Sequence, residues 1–190
     1  KLAFINAPQD DSGGHTELWV MNIDGTNLKQ LTNNKRNNSM PAWSPDGKKI
    51  AFVSVHDGRS AVWIMKSSGK KLYQAIPDSR DFYRVTTGGK GDWVPVWTPD
   101  GSMIIYISMR DGIKETTMPH ILHDDDDPQR QVGYFNKGDI WSVNIKDTSY
   151  LQLTTDPAMD LLPAISPDGS KIAFFSLRND GSSDIWTMNI

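Results

Sequence analysis

A seventeen-residue segment occurs three times in this chain. It reads PAWSPDGKKIAFVSVHD from Pro41, PVWTPDGSMIIYISMRD from Pro95 and PAISPDGSKIAFFSLRN from Pro163. The opening proline and the turn aspartate keep one spacing, Pro41 to Asp46, Pro95 to Asp100 and Pro163 to Asp168. A second motif is built on tryptophan: ELWVMN at Trp19, AVWIMK at Trp63, DIWSVN at Trp141 and DIWTMN at Trp186. A third ends on Leu-Thr or Val-Thr, at Thr32, Thr86 and Thr154, and each threonine lies nine positions before the next opening proline. The uninterrupted unit is 44 residues long. Recurrence at fixed spacing marks units that each bury an apolar face against the next, so the chain is a structural repeat before it is anything else.

Each unit reads as four short strands. The first enters the Pro-x-Trp segment, and the second is the KIAFVS type of run, rich in β-branched and aromatic residues. The third holds the tryptophan motif and the fourth ends at the threonine. SPDG or TPDG is a hairpin signal: proline presets φ, aspartate accepts a local hydrogen bond and glycine takes the left-handed position. Asp24-Gly25 and Ser68-Gly69 signal a second tight turn after the third strand. The second strands carry large side chains on both faces (Ile50, Phe52, Val53; Ile104, Tyr106, Ile107; Ile172, Phe174, Phe175), which a sheet packed between two other sheets requires. Frequent Pro and Gly exclude a helical reading. The expected fold is all-β, a β-propeller of four-stranded antiparallel blades with about four repeats in this chain.

The repeat units divide the chain into 1–40 (partial), 41–94, 95–162 and 163–190 (partial), within a single propeller domain or part of one. The first unit opens at KLAFIN, which matches KIAFFS, so it lacks the opening strand and its turn. The last ends before its Leu-Thr strand. The expectation is therefore a mature form, a fragment or part of a larger ring, or else a compact, imperfectly closed four-unit propeller. An open arc exposes sheet faces and edges, which points to self-association or further blades to cover them.

The motifs PAWSPDGKKIAFVS and DIWTMN resemble the TolB-type β-propeller repeat, a relative of the WD-repeat architecture. In that family a Pro-x-Trp-Ser-Pro-Asp-Gly strand and turn, an Ile-Ala-Phe strand, an acidic-Ile-Trp strand and a Leu-Thr strand make one blade. The resemblance covers nearly the whole chain outside its two insertions. It implies a ring of more than four blades, a protein or peptide partner, and a place in the periplasm or outside the cell. Some members precede a serine peptidase domain, so the chain is also readable as the regulatory propeller of a larger peptidase.

Composition narrows the function classes. The chain has 190 residues, no cysteine and a formal net charge of -3. Disulfide scaffolds, thiolate nucleophiles and thiolate metal sites are excluded. Acids and bases are mixed, with no basic patch for nucleic acid and no apolar run long enough to insert in a membrane. No Gly-x-Ser-x-Gly elbow and no phosphate-binding loop is present.

Candidate sites follow from position in the repeat and from its interruptions. Asn38, Asp92 and Asp160 each stand three residues before an opening proline. Repeated around an axis, they make either an acidic channel mouth for a cation or basic partner, or a set of caps on the turn into the strand. Trp93 falls outside the tryptophan repeat, follows GGKG and adjoins Asp92, which makes it the aromatic expected to touch a ligand. Trp43, Trp97 and the four repeated tryptophans are expected to pack blade on blade. The insertion from Asp111 to Gly138 holds His120 and His123 before Asp124, Asp125, Asp126 and Asp127. His-x-x-His with carboxylates suits Zn²⁺ or Mn²⁺, and an aspartate run suits Ca²⁺, yet the spacing matches no calcium loop and four adjacent acids also suit a solvated loop tip. The insertion from Ala75 to Tyr83 carries nothing diagnostic. The leading expectation is a non-catalytic scaffold for a protein or peptide, with no resident cofactor. The alternative is a metal-dependent or carbohydrate-active propeller enzyme using His120, His123, Asp124 and Asp126.

Overall fold

The computed structural model describes residues 1–7, 14–56, 58–69, 82–84, 86, 91–109, 138–179 and 182–190. All regular structure among them is strand, arranged as four separate antiparallel sheets in chain order. The first contains β1 (Leu2–Asn6), β2 (Glu17–Met21) and β3 (Lys29–Gln30). The second contains β4 (Asn38–Trp43), β5 (Lys49–His56), β6 (Arg59–Lys66) and β7 (Phe82–Arg84). The third contains β8 (Asp92–Trp97), β9 (Met103–Ser108), β10 (Asp139–Asn144) and β11 (Tyr150–Gln152). The fourth contains β12 (Asp160–Ile165), β13 (Lys171–Asn179) and β14 (Ser182–Asn189). Each sheet is a meander whose strands pair with their sequence neighbours. This is the β-propeller expected from the repeat: two blades of four strands, flanked by a first without its inner strand and a last without its outer one.

Alternation along the strands decides which face meets which neighbour. On β5 and β6, Ile50, Phe52, Trp63 and Met65 face the first blade and pack on Leu18, Val20 and Leu31. Their in-between neighbours Ala51, Val62 and Ile64 face the third blade and meet Trp97, Ile104, Tyr106 and Val143. Ile105 and Ile140 then face the fourth blade, against Ile172 and Phe174. Trp63, Trp141 and Trp186 hold one equivalent place, each turned toward the preceding blade. Cross-strand pairing puts them beside Phe52, Tyr106 and Phe174 in the same register.

The inner strands β4, β8 and β12 begin three residues before their prolines and share one irregularity. The register slips between Ser39 and Ala42, Trp93 and Val96, and Leu161 and Ala164. At each slip the residue before proline sits in left-handed space: Met40 at φ 51°, Val94 at 53° and Leu162 at 52°. A β-branched valine is a poor choice there, so the bulge is imposed by packing and not by local preference.

The PDG turns stack from blade to blade. A Cβ on Gly101 would lie 3.7 Å from Pro45, and one on Gly169 would lie 3.4 Å from Pro99. Within each turn the aspartate collects local donors. Thr98 Oγ1 and Ser102 Oγ donate to Asp100 at 2.6 and 2.7 Å, and the Ser102 N–H adds a third bond at 3.0 Å. These hold the Asp100 carboxylate down to about 2 from the usual 3.8. Asp168 is likewise lowered to about 2, by the Ser166 hydroxyl and then by the Ser170 N–H and hydroxyl.

Packing and turn chemistry can each be tested by unfolding. Phe52→Ala, at a fully buried position, should lower stability by about 3–5 kcal/mol in urea unfolding, whereas Ile185→Ala, at 80% exposure, should change it by less than about 0.5 kcal/mol. Depressed folded-state pKa values for Asp100 and Asp168 mean the unfolded chain binds more protons in acid. Their contribution is present above the usual carboxylate range and is lost as pH falls from about 4 toward 2. The urea midpoint should drop across that window, and Asp168→Asn should flatten the drop.

Candidate functional site

The three sequence-selected residues Asn38, Asp92 and Asp160 are the first residues of β4, β8 and β12. All three side chains are buried, at 0–1% exposure. Each meets a serine on the neighbouring second strand, placed there by register: Asn38 opposite Ser54, Asp92 opposite Ser108 and Asp160 opposite Ser176. Ser54 Oγ donates to Asn38 Oδ1 at 2.8 Å, and Ser108 Oγ donates to Asp92 Oδ1 at 2.6 Å. In the last blade an arginine enters the set. Arg178 Nη2 reaches both Asp160 oxygens at 2.9 Å, while its Nε donates to Ser176 Oγ at 2.8 Å. The guanidinium also lies 4.5 Å from the Trp186 ring centre, a cation–π contact.

The side chain of Asn38 reaches back to the first blade. Its Nδ2 donates to Thr16 O at 2.9 Å and to Glu17 Oε2 at 3.1 Å. Glu17 is 1% exposed, and it also accepts from the Thr32 hydroxyl and from the backbone N–H groups of Asn34 and Lys35. A buried carboxylate is tolerated because donors surround it. The backbone adds to this seam: the Asn38 N–H bonds Thr16 O at 3.1 Å, and the Asp160 N–H bonds Gly138 O at 2.7 Å. The repeated threonines complete it. Their hydroxyls accept the N–H of Leu18, Val62 and Ile140, so Thr32, Thr86 and Thr154 tie each fourth-strand end to the start of the third.

Trp93 adjoins Asp92 and is half-buried, with its ring folded over Gly91. A Cβ on Gly91 would sit 2.0 Å from the ring, so a larger residue there would push the ring aside. The structure therefore brings Asn38, Asp92 and Asp160 to equivalent places at one end of adjacent inner strands, with Trp93 on the middle one. His120, His123, Asp124 and Asp126 lie outside the described residues. Among the described residues, no cluster of three His, Cys, Asp or Glu side chains is placed to hold a metal. Likewise, no helix among them is long and apolar enough to cross a membrane.

Sequence reasoning passed over Glu17, Arg178 and the serines. The serines carried a signal, since those of SVHD, SMRD and SLRN align within β5, β9 and β13. Glu17 carried a weaker one: an acid recurs there as Asp139 and Asp184, but the second blade has Ala61.

Residues 7–127 match the family model described as the TolB beta propeller domain. The chain belongs to that family. Among its relatives, the Tol-Pal system protein TolB of Anaeromyxobacter dehalogenans is 29% identical over 79% of this chain and 26% of its own length. The uncharacterized peptidase YuxL of Bacillus subtilis is 24% identical over 87% of this chain and 26% of its own. The crystal structure of TolB from Acinetobacter baumannii superposes with a TM-score of 0.65 at 22% identity, covering 92% of this chain and 35% of that one. The chain thus spans roughly a quarter to a third of the length of these relatives. At such identity the solved structure speaks for the fold alone.

The ion pair yields a prediction. Asp160→Asn should cost about 2–3 kcal/mol in urea unfolding, because the half-buried Arg178 guanidinium loses the charge of its fully buried partner. Asp184→Asn, at an exposed position, should stay within about 0.5 kcal/mol of the parent.

Proposed function

We propose that this chain is a non-catalytic propeller scaffold that binds a protein or peptide, working in the periplasm or outside the cell. The observation that carries the proposal is the use of its repeated polar residues. Asn38, Asp92 and Asp160 are buried and hydrogen-bonded within and between blades, which suits holding a rigid surface and not turning over a substrate. Membership of the TolB propeller family and a relative that is a Tol-Pal system protein support the same class of role. Trp93 is the contact residue in this proposal, half-buried beside Gly91, with Asn38 and Asp160 at the starts of the flanking inner strands. A half-buried aromatic contributes binding area at little entropic cost.

The test is a phage-displayed peptide library panned on the purified chain, followed by titration of the enriched peptides. Trp93→Ala should weaken those peptides by about tenfold or more, while Ile185→Ala leaves them unchanged. No enrichment, or equal affinity for the Trp93→Ala variant, would overturn the proposal.

A second reading rests on the Bacillus relative being a peptidase of which the chain spans 26%. There this chain would be the propeller portion of a larger hydrolase. Chromogenic dipeptide hydrolysis by a longer product of the same reading frame, and none by the chain itself, would favour it. A metal-dependent activity would need His120, His123, Asp124 and Asp126. Titration calorimetry with Zn²⁺, Mn²⁺ and Ca²⁺ checks that point, and an absence of heat in all three would remove it.

A further inference from the structure

Where the first and second blades meet, the carboxylate is turned inward and the cations stay outside. Glu17, at 1% exposure, accepts the Thr32 hydroxyl, the Asn34 and Lys35 backbone N–H groups and the Asn38 amide. Four donors fill the lone pairs of that carboxylate. Around it, Lys35 and Arg59 are exposed, and His15, Arg36 and His56 are half-buried.

Backbone register sets these residues side by side. Thr16 bridges Asn37, the Val55 N–H bonds Asn37 O at 3.1 Å, and Val55 pairs with Ser60. His15, Arg36, His56 and Arg59 are the chain neighbours of those four residues, at the end of the blades where β4 begins. Neighbouring backbone tracks lie about 4.8 Å apart, so the row spans roughly 14 Å. The chain as a whole carries a net charge of -3, so a row of cations is not its average surface.

Among the described residues the ion pairs lie elsewhere, between Lys48 and Asp46 and between Arg178 and the two acids Asp156 and Asp160. Arg178 holds the place in the fourth blade that His56 holds in the second, two residues after the serine. There the cation is absorbed by carboxylates of its own blade. Lys35 adds a second, independent observation. It sits in left-handed space at φ 54°, where glycine or asparagine is less strained, and its N–H bond to Glu17 needs no side chain. The loop beneath it is anchored: the Arg36 N–H bonds Asn34 Oδ1 at 3.1 Å, and Arg36 O accepts from Asn38 Nδ2 at 3.2 Å. The backbone is therefore fixed while Lys35 remains in solvent.

We infer that this row, Lys35, Arg36 and Arg59 with His15 and His56, is a docking surface for an acidic peptide segment of a partner protein. An extended segment with an acid at every second residue sets a carboxylate about every 7 Å, which fits two or three of them along the row. Arg36 and Arg59 are the anchors, because a guanidinium takes a carboxylate through two parallel bonds. A long nucleic acid is opposed by the net negative charge of the chain. The inference rests on the scaffold reading only in taking the partner to be a protein, and it does not use Trp93. The acids of this chain nearest the row in sequence, Asp10, Asp11 and Asp57, lie outside the described residues, as do Asp124 to Asp127.

The probe is a peptide of alternating Glu and Ser, about ten residues long and carrying a neutral dye, titrated into the purified chain by fluorescence anisotropy at low and at physiological salt. It should bind at one to one, with affinity falling severalfold as the salt rises. Arg59→Glu should weaken it by about tenfold, and Lys35→Glu combined with Arg59→Glu should abolish it, with the melting temperature unchanged. Lys146→Glu makes the same change of charge at the other end of the blades and should leave affinity within about twofold. Trp93→Ala should also leave it unchanged, so failure here and failure of the library test are separate results. The inference is overturned if the peptide does not bind at low salt, if a Gln-Ser peptide binds equally, or if Arg59→Glu has no effect. Equal binding of a single-stranded oligonucleotide of the same charge would overturn it too, because the surface would then take any polyanion. So would a gain of about tenfold or more on replacing Asp124, Asp125, Asp126 and Asp127 by Asn, because the chain's own acidic run would then be the occupant.

Discussion

Face-to-face stacking of sheets is the constraint on which the rest of this molecule depends. A blade between two others has no solvent face, so its central strands must be apolar on both sides. The two faces are not alike. The side toward the preceding blade carries bulk, as in Phe52, Trp63 and Met65, or Tyr106 and Trp141. The side toward the following blade carries smaller residues, as in Ala51, Val62 and Ile64. Large side chains of one blade thus press onto a smoother surface of the one before it, and the same fit recurs at every interface. That asymmetry gives the array a direction.

Apolar stacking alone leaves the ends of the strands unsolved, because each strand start brings polar backbone into the interior. The repeat answers with a seam of side-chain bonds at the beginning of every inner strand. One position is solved in different chemistries. Between the first and second blades, the Asn38 amide meets the Glu17 carboxylate. In the fourth blade, Asp160 meets the Arg178 guanidinium. In both, the inner-strand residue is nearly inaccessible, and its partners satisfy it from within or across the interface. The inner-strand position is retained while its partners and their strands change.

The end blades show the same logic from the other side. The tryptophan that packs on the preceding blade in three copies, at Trp63, Trp141 and Trp186, recurs as Trp19 on the outward face of the first. Phe175 and Ile185 pair on the outward face of the fourth, with Ile185 80% exposed. These faces carry the residue pattern of buried interfaces.

The periodic features are legible in the amino-acid sequence. Strand order, the PDG turns, the packing role of the repeated tryptophans and the family resemblance all follow from spacing, because local turn chemistry and alternation act over a few residues. The buried state of Asn38, Asp92 and Asp160 is not legible there, since a position near a strand start serves a channel mouth and a cap equally well in sequence. Glu17 escapes notice for a related reason. Its partners Thr32, Asn34 and Asn38 are spread over the following strand and loop, and the next repeat replaces it with Ala61. The sequence by itself thus determined the repeating blade, where a pattern read along one strand is enough. Only the tertiary structure decided which polar groups are satisfied, because that is a property of contacts between blades.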